Sequence, residues 1–125
     1  MATTPRDSYK DLVLWRKSVD LAAAIHNVTR GLPRSEMFGL VSQMRRASVS
    51  IPSNVAEGSA RRTTREFIAF LHISRGSLSE LETQLTIARQ VGYLEDQVTA
   101  GVDALIDEVG RLINAVIAGL RKRLG

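Results

Sequence analysis

Along the stretch Gln43-Met44-Arg45-Arg46-Ala47-Ser48-Val49-Ser50-Ile51-Pro52-Ser53-Asn54-Val55-Ala56-Glu57-Gly58, polar side chains recur at steps of three or four. On a helix, Gln43, Arg46, Ser50, Asn54 and Glu57 fall along one side and present amide, guanidinium, hydroxyl and carboxylate groups in one line. A second line of Leu40, Met44, Ala47, Ile51 and Val55 supplies the apolar side. A polar line of this kind either takes a ligand or pairs with a facing helix and fixes its register. We read it as the second. Ser50, Asn54 and Glu57 would face Ser77, Glu80 or Gln84 on the next helix, with Ala47 and Gly76 letting the two approach. A buried carboxylate needs a partner, which either Arg46 or Arg75 can supply.

The other candidate chemistry is cationic. The formal charge is +4. Between residues 34 and 65, Arg34, Arg45, Arg46, Arg61, Arg62 and Arg65 stand against only Glu36 and Glu57, and the remaining charges cancel. Arginine carries most of the positive charge, and its planar fork suits phosphate. The competing interpretation is a solvated face. We place external binding on Arg45, Arg61, Arg62 and Arg65, with Arg75 shared between the polar line and the surface.

Several chemistries have no residues to carry them. There is no cysteine, hence no disulfide, thiolate metal site or cysteine nucleophile. His26 and His72 sit on different helices, and no H-E-x-x-H, E-x-x-H or P-loop motif occurs. Asp103, Asp107 and Glu108 read as the solvated face of a helix. No metal and no cofactor are expected. The lack of cysteine fits a reducing cytosol, and no long apolar run suggests a signal peptide or a membrane span. A cytoplasmic protein is the expectation.

Four helices must position these residues. The first spans about 11–30, with Leu14, Ser18, Leu21, Ile25, Val28 and Leu32 on one stripe and Leu12, Trp15, Val19 and Ala22 beside it; Gly31 and Pro33 stop it. Ser35 is the expected cap of the second, which runs to Gly58. Pro52 costs that helix about 3 kcal/mol, either by kinking a continuous helix, the reading we favour, or by starting a new turn. Thr63-x-x-Glu66 is a capping box, so the third helix starts near Thr64 and ends at Gly92. The fourth starts near Glu95 or Asp96, with Val98, Val102, Leu105, Val109, Leu112, Val116 and Leu120 on its seam. No segment alternates with period two. The chain therefore reads as an all-α, up-down antiparallel four-helix bundle over residues 9–125, behind a short tail at 1–8. Ile106, Ile113, Ile117 and Leu12 exceed what one seam needs and point to homo-oligomerisation through the first or fourth helix. Gly101, Gly110 and Gly119 are candidate close approaches between backbones.

Two resemblances add to this. Arg65 and His72 resemble the R-x(4–6)-H signature of HEPN ribonucleases, which implies a histidine taking a 2′-hydroxyl proton and an arginine stabilising the phosphorane. More extensively, the 43–58 stretch resembles one family when taken with Asp11-Leu12-x-x-Trp15, Leu32-Pro33-x-x-Glu36-x-Phe38-Gly39-Leu40 and Phe67-x-x-Phe70-Leu71-x-x-x-Arg75-Gly76-Ser77-Leu78-x-Glu80-Leu81-Glu82. These motifs are similar to the bacterial proteins encoded in intervening sequences of 23S ribosomal RNA genes, and through them to the accessory variability proteins of diversity-generating retroelements. The resemblance covers about residues 9–95. It implies a four-helix bundle assembled as a ring-like homopentamer with a basic surface, and in the retroelement branch partners that are nucleic acid and a reverse transcriptase.

The expected function is thus a non-enzymatic, homo-oligomeric protein that binds RNA or DNA backbones through Arg45, Arg61, Arg62, Arg65 and Arg75. The expected structural motif is Gln43, Arg46, Ser50, Asn54, Glu57, Gly58, Gly76, Ser77 and Glu80. A scaffold for an acidic protein partner and an Arg65/His72 ribonuclease are the alternatives.

Overall fold

Four helices and short connections make up the computed structural model, which describes Tyr9 and residues 12–125; the expected tail at 1–8 lies outside them. The helices are α1 (Val13–Thr29), α2 (Leu40–Ser59), α3 (Thr64–Gln90) and α4 (Asp96–Leu124), with no strand among the described residues. α1 and α3 each pack on α2 and α4, and the diagonal pairs do not touch. The result is a square, antiparallel bundle around one core that includes Leu14, Leu21, Met44, Ile51, Leu81 and Ile113.

Local chemistry sets each end. Leu32 folds back into the core after α1, and a single 3-10 turn occupies Arg34–Glu36. Ser35 does not cap α2. That helix starts at Leu40, whose amide donates to Glu36 Oε1 at 3.3 Å. The other oxygen of Glu36 accepts from the Tyr93 hydroxyl at 2.9 Å. A long acidic side chain anchored by a distant loop therefore takes the place of the short local cap. The hydrogen bond to the Glu36 carboxylate, with burial and its charge, raises the Tyr93 pKa.

α2 runs unbroken through Pro52, which is buried. Its C-terminal turn brings Gly58 against α3, where an added Cβ would lie 2.7 Å from Phe70 Cβ and 3.0 Å from Phe67 Cδ1. The close approach is thus at Gly58. Gly76, expected to permit it, is exposed with open space around it. Thr63 caps α3 as its spacing requires, accepting from the Glu66 amide at 3.1 Å. The Glu66 carboxylate takes the Thr63 hydroxyl at 2.9 Å. Gly92, at φ +83°, ends α3, and Tyr93 donates back to the Ala88 carbonyl at 2.9 Å, closing a left-handed C-cap.

The inward face of α4 differs from the expected seam by one residue at several positions. Its buried line is Thr99, Val102, Ile106, Val109, Ile113, Ile117 and Leu120. Leu105, Leu112 and Val116 flank the core, and Val98 is exposed. Ile106, Ile113 and Ile117 therefore fill the monomer's own core and leave nothing over for a partner. A corner helix faces two neighbours, so its buried arc is wider than a two-helix seam. Gly101 and Gly119 face open space, and only Gly110 of the three has a near neighbour, the side chain of Leu78.

The two glycines of the α2–α3 region should respond oppositely to one methyl group. Gly58→Ala forces the α2 and α3 backbones apart and should cost about 1–3 kcal/mol. Gly76→Ala adds helix propensity in open space and should gain about 0.5–1 kcal/mol. Urea unfolding of both variants checks the pair, and equal effects would mean that Gly58 is not a contact.

Candidate functional site

Up-down threading puts the end of α2, the start of α3 and the end of α4 at one end of the bundle. Arg61, Arg62 and Arg65 come from the α2–α3 turn, and Arg121, Lys122 and Arg123 from the last turn of α4. Between them, Arg65, Ile68, Ala69, His72, Arg121 and Leu124 line a cleft of about 340 Å³. No carboxylate lines it. Glu57 pairs with Arg61, and Glu66 is held by Thr63.

His72 lies between two guanidinium groups. Arg75 Nη2 lies 2.9 Å from His72 Nδ1, and Arg121 Nη2 lies 3.3 Å from His72 Nε2. Arg75 is itself held by Asn114, donating to its Oδ1 at 3.1 Å. A guanidinium only donates, whereas a neutral imidazole accepts at one nitrogen and donates at the other. It can therefore accept from only one of the two guanidiniums, and whichever tautomer forms leaves the other contact donor against donor. One N–H of the cluster is thus left without an acceptor among these three side chains. The group that fits is an oxyanion. Arg65 and His72, the residues of the ribonuclease-like spacing, line this same cleft.

The expected external residues divide. Arg65 lies in the cleft and Arg62 is exposed beside it, and neither has a hydrogen bond or ion pair among the described residues. Arg75 reaches the cleft through His72. Arg61 is neutralised by Glu57 and lies over the Phe70 ring at 4.7 Å. Arg45 is elsewhere, donating to Thr29 Oγ1 at 3.0 Å and to the His26 carbonyl at 3.4 Å, and so ties α2 to α1. Arg121 escapes sequence reasoning because its place beside His72 comes from the threading of α4. Its one signal is the run Arg121-Lys122-Arg123, which reads equally as a helix-dipole complement.

The polar line is partly an internal network. Ser50 Oγ and Ser77 Oγ meet at 2.8 Å across α2 and α3. Asn54 Nδ2 donates to the Ser50 carbonyl at 2.8 Å and to Ser50 Oγ at 3.0 Å. Buried Ser74 adds a bond to the Ile51 carbonyl at 2.9 Å. Glu57 is not buried and does not pair with Arg46 or Arg75; Arg61, one turn on, satisfies it in solvent. Gln43, Arg46 and Glu80 stay exposed, and with Ala47, Ser50, Ser77 and Gln84 they line a second concavity of about 300 Å³. Among the described residues, no group of three histidine, cysteine, aspartate or glutamate side chains could hold a metal ion. No helix among them is long and apolar enough to cross a membrane.

A family model described as 23S rRNA-intervening sequence protein matches residues 10–115. A solved structure from Bacteroides thetaiotaomicron, described as a protein of unknown function from the S23 ribosomal protein family, superposes with a TM-score of 0.79 at 24% identity. It covers 87% of this chain and 98% of its own. That likeness shows the fold. No curated protein matches.

The placement of Arg45 separates it from the other arginines in a measurable way. Arg45→Ala should lower stability by about 1 kcal/mol, since it removes the donor to a buried threonine. Arg62→Ala should leave stability within about 0.5 kcal/mol, as an unpartnered surface change. Thermal melts of both variants test the division, and an Arg45→Ala protein as stable as the parent would put Arg45 back on the surface.

Proposed function

We propose, for a chain that belongs to the 23S rRNA-intervening sequence protein family, a non-enzymatic function in which its basic end grips the phosphates of RNA or DNA. The observation that carries this is His72 set between two guanidiniums, Arg75 Nη2 at 2.9 Å and Arg121 Nη2 at 3.3 Å, from which a neutral imidazole cannot accept both. A phosphate oxygen beside the cluster would take the N–H left over, and Arg65 on the same cleft supplies further positive charge. The phosphate-rich partner is inferred from the surroundings. Arg62, Lys122 and Arg123 extend the cleft's charge over the whole end of the bundle, wider than one small anion needs. Phe67 and Phe70 are partly buried beneath this surface, so neither lies open for bases to stack on. Grip on the backbone, with little readout of sequence at this end, is the expected mode.

Binding is favoured over cleavage by the same geometry. A ribonuclease of the expected kind needs a histidine nitrogen free to take a 2′-hydroxyl proton, and a guanidinium stands at each ring nitrogen of His72.

The assembly belongs to the same proposal. A ring-like homopentamer would repeat the basic end around an axis and turn modest charge into avidity. Exposed Val49, Ile73, Ile87 and Val98 are apolar surface available for such contacts. Kinship with the accessory variability proteins of diversity-generating retroelements would make a reverse transcriptase a further partner. A scaffold that meets an acidic protein through the same arginines is the competing function.

A salt series with labelled RNA and duplex DNA, with the oligomer mass measured in the same buffers, tests the reading. Affinity should fall steeply with salt. Arg65→Glu and Arg121→Glu should each weaken binding and flatten the salt slope by about one unit for every phosphate no longer gripped. His72→Leu should lose about tenfold, whereas His72→Gln, which keeps a side-chain N–H, should lose less. The RNA should be recovered intact. Salt-independent binding, or none at low salt from an intact oligomer, would end the nucleic-acid reading in favour of the scaffold; cleavage that His72→Gln abolishes would end the non-enzymatic one.

A further inference from the structure

The second concavity, on the α2–α3 face, is built of groups that the fold leaves unspent. Arg46 and Glu80 line it with opposite charges, yet neither makes an ion pair or hydrogen bond among the described residues. Its Ser50–Ser77 pair has a hydrogen left over. Ser50 Oγ accepts from Asn54, and the two hydroxyls share one bond, so two hydroxyl hydrogens meet one acceptor within the chain of three side chains. Gln84 adds an orphan. Its Oε1 is buried with no donor, the one such side-chain atom among the described residues. An unpaired buried acceptor is costly, and a ligand donor reached by turning the amide outward would offset that cost.

We infer that this groove reads a guanine base. The inference rests on the nucleic-acid function proposed for the basic end and adds a base preference to it. The argument is one of complementary edges. A carboxylate accepts two parallel N–H bonds and a guanidinium donates two. Guanine alone of the four common RNA bases has two adjacent donors, N1–H and N2–H₂, beside two adjacent acceptors, O6 and N7. Glu80 takes the donor edge and Arg46 the acceptor edge, with the spare serine hydroxyl as a further donor to O6 or N7. Gln84, one turn along α3 from Glu80, is placed to accept the second amino hydrogen. Adenine, cytosine and uracil each leave one arm of the carboxylate empty. Readout of the base edge in this manner suits unpaired nucleotides, whose edges are not already hydrogen-bonded.

The test compares single-stranded RNA oligonucleotides of equal length and charge, with and without a few guanosines, at one salt concentration. Guanosine-containing strands should bind about tenfold more tightly. Inosine, which lacks the N2 amino group, should lose most of that preference. Glu80→Gln, an exposed and conservative change, should abolish it while leaving the salt slope intact, since no phosphate-contacting residue is altered. Equal affinity for all strands, with a normal salt slope, would overturn the guanine assignment and leave the basic end standing. If no strand binds, guanosine monophosphate titrated into isotope-labelled protein decides the groove by itself. Shifts in the Gln84 side-chain amide and around Ser77, absent with adenosine monophosphate and absent in Glu80→Gln, would uphold it. No shift would overturn it.

Discussion

The approach of Gly58 on α2 to Phe70 on α3 is the constraint on which both candidate sites depend. Any side chain larger than hydrogen at 58 would collide with a Cβ that has no freedom to move. Once the two helices close there, their antiparallel register is set. Ser74 falls opposite the Ile51 carbonyl, and Ser50 falls opposite Ser77. Arg46 and Glu80, one turn further along, then come to opposite sides of one groove. The same closure makes the turn from Ala60 to Thr63 tight and presents Arg62 and Arg65 outward at the bundle's end. One glycine thus positions the basic cleft through the turn and the polar groove through the register.

The buried polar groups separate structure from surplus. Ser18 and Thr29 return their hydroxyls to carbonyls one turn back in their own helix, at 2.7 Å each. Thr99 takes two bonds from Arg89, which also pairs with Asp103, and so fastens α3 to α4 at the end opposite the cleft. These groups are satisfied and stabilise the fold by about 1 kcal/mol per bond. Among the described residues, Gln84 Oε1 is the one buried side-chain polar atom without a partner, and His72 stands between two donors that it cannot both accept. Satisfied polar groups hold the bundle together, and unsatisfied ones mark where it meets something else.

The features legible in the sequence are those that depend on local chemistry. Thr63 with Glu66 marks the start of α3, Gly92 its end, and the four-three spacing of Leu71, Ser74, Leu78, Leu81 and Leu85 its buried face. The polar letters Ser50, Asn54 and Ser77 likewise suffice to join one network. Apart from Glu57, whose partner Arg61 is one turn on, the failures involve geometry between elements. Ser35 has the right chemistry for a cap, but Tyr93, far along the chain, orients Glu36 to serve instead. Ile106, Ile113 and Ile117 are surplus to a single seam, yet a helix in a square bundle buries two adjacent faces. Gly76 and Gly58 are indistinguishable as letters, and only the crossing of the helices says which one touches. Arg121 stands 49 residues from His72 in sequence, so no spacing rule could join them.

The two sites also lie in a useful relation along α3. Arg65 and Glu80 are separated by fifteen residues, roughly 22 Å of helix, and by about 60° around its axis. Arg75 lies between them. A single strand lying along the outer side of α3 would therefore meet the phosphate-gripping donors at one end and the base-reading groove a few nucleotides later. The division of labour suits the chemistry of each. In the proposed function, backbone grip, which depends on dense charge and tolerates any sequence, falls to the bundle's end, where three helix termini pool their arginines. The proposed base readout falls mid-helix, where Arg46 and Glu80 line a groove whose two walls the Gly58 contact and the Ser50–Ser77 bond hold in register.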